Sequence, residues 1–180
     1  MRGFGVMAAC LPGMLAGCTG EVDVYLVDRS VEPLGGELAI EELLLPLDRV
    51  EAMRDGGWVA LARGPDPYNL LDFSGEPGVI DLVTLRDTPA RVAHDEIAVG
   101  PISALRLVLM PGEDFVIETS NGVTHPLTVA PDAAWRVDLS LEVGGDLAAS
   151  QTFDLHVRDA IVLEEDGTWS FAPTLEPVEE

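Results

Sequence analysis

The feature that most constrains the fold is a strict alternation of apolar and polar residues late in the chain. Apolar side chains occupy every second position from Trp135 to Val143, and Arg136 and Asp138 are among the polar residues between them. A period of two places alternate side chains on opposite faces of a β-strand. We therefore predict a strand with one buried and one solvated face.

Four other segments show the same alternation, and Gly-containing turn signals separate the strands. The alternating segments are Val22-Val24-Leu26, Leu105-Leu107-Leu109 around Arg106, Phe153-Leu155-Val157 around Asp154 and His156, and Trp169 with Phe171. The turn signals are Asp55-Gly56-Gly57, Asn121-Gly122, Gly144-Gly145 and Asp166-Gly167. Such dipeptides favour tight hairpins because they accept positive φ. Strands repeated in this way predict an all-β fold, an antiparallel sandwich or barrel.

Two segments need a separate interpretation. Apolar residues between Glu41 and Arg54 fit a helix or a strand, and Pro46 disfavours an unbroken helix. We predict a strand that is bent at Pro46 and lies at a sheet edge, where a missing N–H is tolerated. Residues 62–78 are rich in Gly and Pro and predict a long surface loop.

The N-terminus has the pattern of an export signal. Arg2 precedes a mostly apolar stretch, Phe4–Leu15, that is too short to span a bilayer. The stretch ends in Leu15-Ala16-Gly17-Cys18, which resembles the lipobox of bacterial lipoproteins at all four positions. An ordinary export signal that happens to end in Ala-Gly-Cys is the alternative.

The lipobox resemblance implies where the mature protein begins and how it is held. Residues 1–17 would be a signal peptide, and Cys18 would become the first residue, carrying a thioether-linked diacylglycerol and acyl chains such as palmitate. Two or more chains anchor a protein stably to a membrane. Thr19, in place of an Asp, implies the outer membrane of the cell envelope where the host has one.

The net charge and the two cysteines further restrict which class of protein this chain can belong to. The net charge is −22, and all ten basic residues are Arg, which excludes a nucleic-acid partner in practice. Cys10 would leave with the signal and Cys18 would carry lipid, so no disulfide is expected. We expect a single domain over residues 18–175, stabilised by its hydrophobic core, and a disordered acidic tail over 176–180.

Five segments of the mature chain follow one another in a characteristic order: 20–28, 57–61, 80–85, the 97–107 block with its Arg-Leu pair, and 121–129 with His125-Pro126-Leu127. Their resemblance, over roughly residues 20–175, is to the bacterial lipoprotein family numbered 4382 among domains of unknown function. It implies a lipid-anchored β-sandwich of immunoglobulin or transthyretin type with no established activity.

No pattern of an active site or cofactor site is present. The sequence lacks the Gly-x-Ser-x-Gly, His-Glu-x-x-His and Cys-x-x-Cys motifs and a phosphate-binding loop. His94, His125 and His156 are far apart and do not have metal-ligand spacing. We therefore predict no catalytic residue, no cofactor and no metal ligand, and expect a protein that is not an enzyme.

Two binding chemistries stay open. Acidic loops suggest a calcium site, although a solvated acidic surface explains them more simply. These loops contain Asp66, Asp72 and Glu76; Glu113 and Asp114; and Glu164, Glu165 and Asp166.

The second chemistry is sugar stacking on a tryptophan. Trp135 and Trp169 occupy apolar positions of alternating strands, so we predict that they pack in the core. Trp58 follows a turn and is the candidate for a surface on which a sugar stacks. The leading hypothesis is a non-enzymatic envelope lipoprotein, a binding or structural module that presents its loops to a protein, a glycan or another wall component. The alternative is a calcium- or glycan-binding carrier that uses the acidic loops.

Overall fold

A computed structural model of the protein describes residues 18–29, 40–62, 78–86, 88–110, 115–129, 135–145 and 148–178. Strands dominate this part of the chain. They are β1 (Thr19–Val27), β2 (Ile40–Arg54), β3 (Gly57–Leu61), β4 (Gly78–Asp81), β5 (Ala90–Ala98), β6 (Gly100–Leu109), β7 (Phe115–Thr119), β8 (Val123–Val129), β9 (Trp135–Val143), β10 (Ala149–Asp154), β11 (Ile161–Leu163), β12 (Trp169–Phe171) and β13 (Glu176–Pro177). A 3₁₀ turn covers Leu82–Leu85, and one short helix, α1, covers Val157–Ala160.

The strands form two sheets that pack face to face. The smaller sheet has the order β13-β10-β1-β5, and the larger has the order β11-β12-β8-β7-β2-β6-β9, with β3 and β4 also on β2. Phe153 of the smaller sheet packs among Val50, Leu105 and Val137 of the larger one. The predicted all-β sandwich is confirmed. Its pairing is mostly antiparallel, but β1–β10 and β8–β12 are parallel pairs.

The ambiguous segment before Arg54 forms the strand β2, as predicted, but it is not an edge strand. Leu44 pairs with Val116 of β7 on one side and with Asp81 of β4 on the other. The carbonyl of Pro46 accepts a hydrogen bond from Met110 N at 3.0 Å. Because the N and C=O of one residue point to the same side of a strand, the missing N–H of Pro46 faces the junction between β7 and β6. An interior strand therefore tolerates this proline.

Each side of β2 is covered by two strands placed end to end. On one side, β3 ends with Leu61 beside Val50, and β4 begins with Gly78 beside Leu47. On the other side, β6 ends beside Leu47, and β7 begins in register with the preceding half of β2. A single long strand thus holds the larger sheet together where both of its neighbours are interrupted.

Three of the four predicted turns form hairpins. Asp55 and Gly56 have φ values of +48° and +79° and connect β2 to β3 as a two-residue turn. Gly122 and Gly167, with φ of +73° and +85°, lie in the β7–β8 and β11–β12 turns. The hairpin predicted at Gly144-Gly145 is wrong, because the chain there passes from β9 of the larger sheet to β10 of the smaller one.

The alternation predicted through Val157 ends earlier than expected. Phe153, Leu155 and Val157 are all buried, but the strand ends at Asp154 and Val157 starts α1. Two buried carboxylates accept hydrogen bonds from the backbone there. Asp154 Oδ1 accepts one from His156 N at 3.0 Å, and Asp28 Oδ1 accepts one from Val157 N at 3.3 Å. These bonds hold His156 at φ +44° and turn the chain out of the sheet.

Both termini of the described domain are hydrogen-bonded into the smaller sheet. Cys18 O accepts a hydrogen bond from Val99 N at 3.1 Å, and Gly20 lies so close to Gly144 that a Cβ at Gly20 would overlap the Gly144 carbonyl oxygen. At the other terminus, β13 pairs with β10 and Val178 N donates to Thr152 O at 2.9 Å. The sheet therefore extends past the domain boundary predicted at residue 175.

Candidate binding face

A row of side chains crosses four strands on the outer face of the larger sheet. Cross-strand register aligns Ala60 of β3 with Glu51 of β2, Glu51 with Arg106 of β6, and Arg106 with Arg136 of β9. Trp58 lies two residues before Ala60 on β3 and therefore on the same face. We call this set, with Arg49 of β2, the Trp58 face. It contains three of the ten arginines of a strongly acidic chain.

Glu51 is the centre of the Trp58 face. It is only 7% exposed, and its two carboxylate oxygens accept hydrogen bonds of 2.6 Å from Arg49 Nε and Arg106 Nε. Burial alone would raise the pKa of Glu51, but the hydrogen bonds and charges of the two guanidinium groups outweigh it and lower the pKa below 4.5. Glu51 is therefore ionised at neutral pH and fixes the orientation of Arg106.

Trp58 stacks with two of these arginines. The guanidinium carbon of Arg106 lies 4.1 Å from the centroid of the Trp58 ring, and that of Arg136 lies 5.7 Å from it. Both distances are within the range of a cation–π interaction. Met53 of β2 and the fully buried Ala104 of β6 occupy the same row as Trp58.

The arginines of the Trp58 face differ in how firmly they are held. Arg106 is fixed by the nearly buried Glu51, whereas Arg136 pairs with Asp138 in an ion pair whose side chains are 52% and 75% exposed. Such exposed pairs contribute about 0–1 kcal/mol, so Asp138 holds the Arg136 guanidinium only weakly. The exposed Arg136 guanidinium and the half-buried Trp58 ring are therefore groups of this face that a ligand can reach.

The other two tryptophans belong to the core, as predicted. Trp135 is 5% exposed and makes an edge-on contact with Phe171 at 5.6 Å between ring centroids. Trp169 is 9% exposed and lies 5.9 Å from the His125 ring. Of the three tryptophans, only Trp58 is placed to meet a ligand.

The three histidines lie in different parts of the molecule. His94 Nδ1 lies 2.9 Å from Asp23 Oδ1 on β1, and His156 Nε2 lies 3.2 Å from Glu176 Oε2 on β13. His125 is on β8, against Trp169. Across the described residues, no three His, Cys, Asp or Glu side chains are grouped closely enough to hold a metal ion.

One of the three predicted acidic loops lies among the described residues. In it, Asp166 Oδ1 accepts hydrogen bonds from Thr168 N at 3.0 Å and Thr168 Oγ1 at 2.6 Å, which lower the pKa of Asp166. Glu164 Oε1 accepts a bond from Ser170 Oγ at 2.6 Å. These two carboxylates are occupied by the donors of their own hairpin. The loops with Asp66, Asp72 and Glu76 and with Glu113 and Asp114 lie outside the described residues, and a calcium site there stays a prediction.

Of the four lipobox residues, only the last belongs to the part of the chain that the structure describes. Leu15, Ala16 and Gly17 lie outside the described residues, whereas Cys18 is described and forms no disulfide. The described segments contain no helix with both the length and the apolar character needed to cross a bilayer.

Comparison with known families identifies the domain. The family model for a domain of unknown function, DUF4382, matches residues 19–173. The chain belongs to the DUF4382 family. The family match begins at the first residue of β1 and ends just after β12, so the DUF4382 domain and the described sandwich nearly coincide. The resemblance to the family numbered 4382 is confirmed, and the lipobox stays a prediction. Comparison with curated proteins and with solved structures found no match.

The sequence alone pointed to Trp58 but not to its arginine neighbours. Arg106 and Arg136 each stand between two apolar residues of an alternating strand, which predicts the solvated face. That signal does not tell which strands are neighbours. Only the β2–β6–β9 register brings these arginines and Trp58 together.

Proposed function

We propose that this protein is a lipid-anchored, non-enzymatic binding module of the cell envelope, held at the membrane through Cys18. Where the host has an outer membrane, Thr19 in place of an Asp favours that membrane. The module presents the Trp58 face to an envelope glycan that carries acidic groups.

One coincidence of boundaries is compatible with the anchor. The lipobox ends at Cys18, β1 begins at Thr19, and the DUF4382 match also begins at residue 19. A signal cleaved before Cys18 would leave all of β1 and the whole DUF4382 match in the mature protein. Any cleaved export signal would end near the start of the domain, so the match to the lipobox at all four positions, Leu15 to Cys18, is what favours lipidation over an ordinary signal.

The proposed role without catalysis is supported by what the described surface presents. It offers a rigid sheet face with an aromatic ring and oriented charges, which is suited to binding. His94 and His156 are paired with the carboxylates of Asp23 and Glu176, and this pairing is compatible with the proposed role.

The anchor is tested by mass spectrometry of the protein purified from a bacterium that processes lipoproteins. We expect an N-terminal Cys18 whose mass includes diacylglycerol. In cell fractionation, Cys18→Ala should appear in the soluble fraction, while Cys10→Ala, which changes only the predicted leader, should stay with the membrane. An unmodified Cys18 in the native protein would refute the anchor.

The Trp58 face is tested on a glycan array that contains neutral and uronic-acid sugars. We expect retention of acidic glycans that is lost in Trp58→Ala and weakened in Arg136→Ala, with Glu142→Gln on the exposed side of β9 as the matched control. Crosslinking in intact envelopes provides the second readout. No binding to any sugar, together with a crosslinked protein at this face, would replace the glycan with a protein partner.

A further inference from the structure

We infer that the end of the sandwich around Cys18 rests directly on the lipid headgroups, with the β9–β10 crossing at Gly145 facing the membrane and the β7–β8 turn facing away from it. This inference rests on the proposed lipid anchor at Cys18. It adds an orientation that the anchor alone does not provide, because a flexible spacer would let the domain tumble.

No spacer separates the lipid-bearing residue from the fold. Thr19 is the first residue of β1 and pairs with Ala98, and the Cys18 carbonyl already accepts a hydrogen bond from Val99 N. A linker gives a tethered domain a reach of at most about 3.3–3.6 Å per residue. Here the linker has no residues, so the acyl chains and the sheet must be in adjacent layers.

The start of β1 cannot peel away to act as a tether. β1 lies between β10 and β5 and is hydrogen-bonded to both. Gly20 also packs against the carbonyl of Gly144, at the end of β9. Thr19–Glu21 pair with β5 alone, and freeing the strand as far as Val22 would break ladder bonds to both neighbours and remove this fully buried residue from the core.

The segments beside Cys18 define which surface meets the lipid. Arg54 Nη2 donates to Val99 O at 3.1 Å, which places the β2–β3 hairpin next to the anchored residue. Gly144 and Gly145 follow β9 at the same end. This Cys18 end comprises Cys18, Arg54, Val99 and Gly144–Gly145, and it places the Arg54 guanidinium near the level of the lipid phosphates. The exposed carboxylates of Glu21, Asp55 and Glu96 lie at the same end, so the orientation follows from the missing spacer and not from charge.

The opposite end of the domain is identified by β2. Arg54 is the last residue of β2, and its first residue, Ile40, pairs with Thr119 beside the β7–β8 turn. Fifteen residues of strand separate these ends by up to about 45 Å at roughly 3.3 Å per residue. The acidic β11–β12 hairpin extends toward the far end too, because β12 runs parallel to β8, which starts there. This orientation keeps the carboxylates of that hairpin away from phosphate headgroups. Trp58 pairs with Met53 next to Arg54, so the Trp58 face is turned sideways and begins beside the membrane end.

The orientation is tested with the lipidated full-length product reconstituted into vesicles of phosphatidylcholine and phosphatidylglycerol that contain a headgroup nitroxide. An introduced cysteine is the only available thiol once Cys18 carries lipid. Gly145→Cys places a fluorophore at the membrane end, where a Cβ meets nothing within 4 Å. Ser120→Cys places it in the exposed far turn as the matched control. We expect quenching several-fold stronger at position 145 than at 120.

A second variant separates the tether from the surface. Six Gly and Ser residues inserted between Cys18 and Thr19 should reduce the quenching at 145 to the level at 120. Equal quenching at both positions without the insertion, with lipid verified on Cys18 by mass spectrometry, would overturn the orientation but leave the anchor. Strong quenching at 145 that survives the insertion would overturn the spacer argument. An unlipidated Cys18 would overturn the anchor itself.

Discussion

Glu51 of β2 and Arg106 of β6 face each other across the larger sheet and form a charge-assisted hydrogen bond of 2.6 Å on its outer face. The same carboxylate holds Arg49, and the same guanidinium covers the Trp58 ring. A single acidic residue thus organises the aromatic and cationic parts of the Trp58 face.

Glu51→Gln should lower stability in a pH-dependent way. The pKa of Glu51 is lowered in the folded state, so its stabilising contribution is present above the ordinary value of 4.5 and is lost as the pH falls through the folded pKa. We expect a loss of about 1–2 kcal/mol at pH 7. Urea unfolding at pH 7 and pH 3 measures it, and the difference between wild type and variant should shrink at pH 3. The exposed Glu142→Gln is the control, and an equal deficit at both pH values would contradict the prediction.

Gly56→Ala should destabilise the β2–β3 hairpin, whereas Gly57→Ala should not. Gly56 has φ +79°, a conformation that costs a residue with a Cβ roughly 1–2 kcal/mol. The neighbouring Gly57 has ordinary φ, and a Cβ there would approach Arg54 O no closer than 3.8 Å. Thermal unfolding of the two variants side by side provides the measurement. Equal melting temperatures would mean that the turn is not formed as described.

Gly20→Ala should be more damaging than its exposed counterpart Gly145→Ala. A methyl group at Gly20 would overlap the carbonyl of Gly144 and force the end of β9 away from β1, at a cost of about 1–3 kcal/mol. Gly145 has open space around it and serves as the matched control. Chemical denaturation followed by circular dichroism reports the difference. Wild-type stability of Gly20→Ala would show that β1 and β9 are not in contact there.

Trp58 should account for the solvent-accessible part of the tryptophan fluorescence. Trp135 and Trp169 are buried in the core, so acrylamide should quench mainly the half-buried Trp58. In Trp58→Phe the remaining emission should resist quenching and shift to shorter wavelength. If the accessible component persists in this variant, a core tryptophan must be open to solvent.

Most strands and turns could be predicted from the sequence, because each depends on the chemistry of a few neighbouring residues. Burial follows the period-two pattern from Trp135 to Val143, where the polar residues between the apolar ones are exposed. Asp55-Gly56 predicted a hairpin because few residue pairs accept two consecutive positive φ values. These features depend on residues close together in the chain.

What the sequence did not reveal depends on long-range pairing. Gly144-Gly145 resembles a hairpin turn locally, but its partner strands belong to different sheets. Pro46 suggested an edge strand, because nothing local indicates that β6 and β7 meet opposite it. The Trp58 face was missed for the same reason, since its members come from β2, β3, β6 and β9.

The end-to-end arrangement of β3 and β4 makes this sandwich a natural display scaffold. Leu61 and Gly78 lie beside positions of β2 that are three residues apart, so the two attachment points are only about 10 Å from each other. A foreign peptide grafted in place of residues 63–77 would need to close only that short gap. Neither flanking strand would have to give up its pairing with β2.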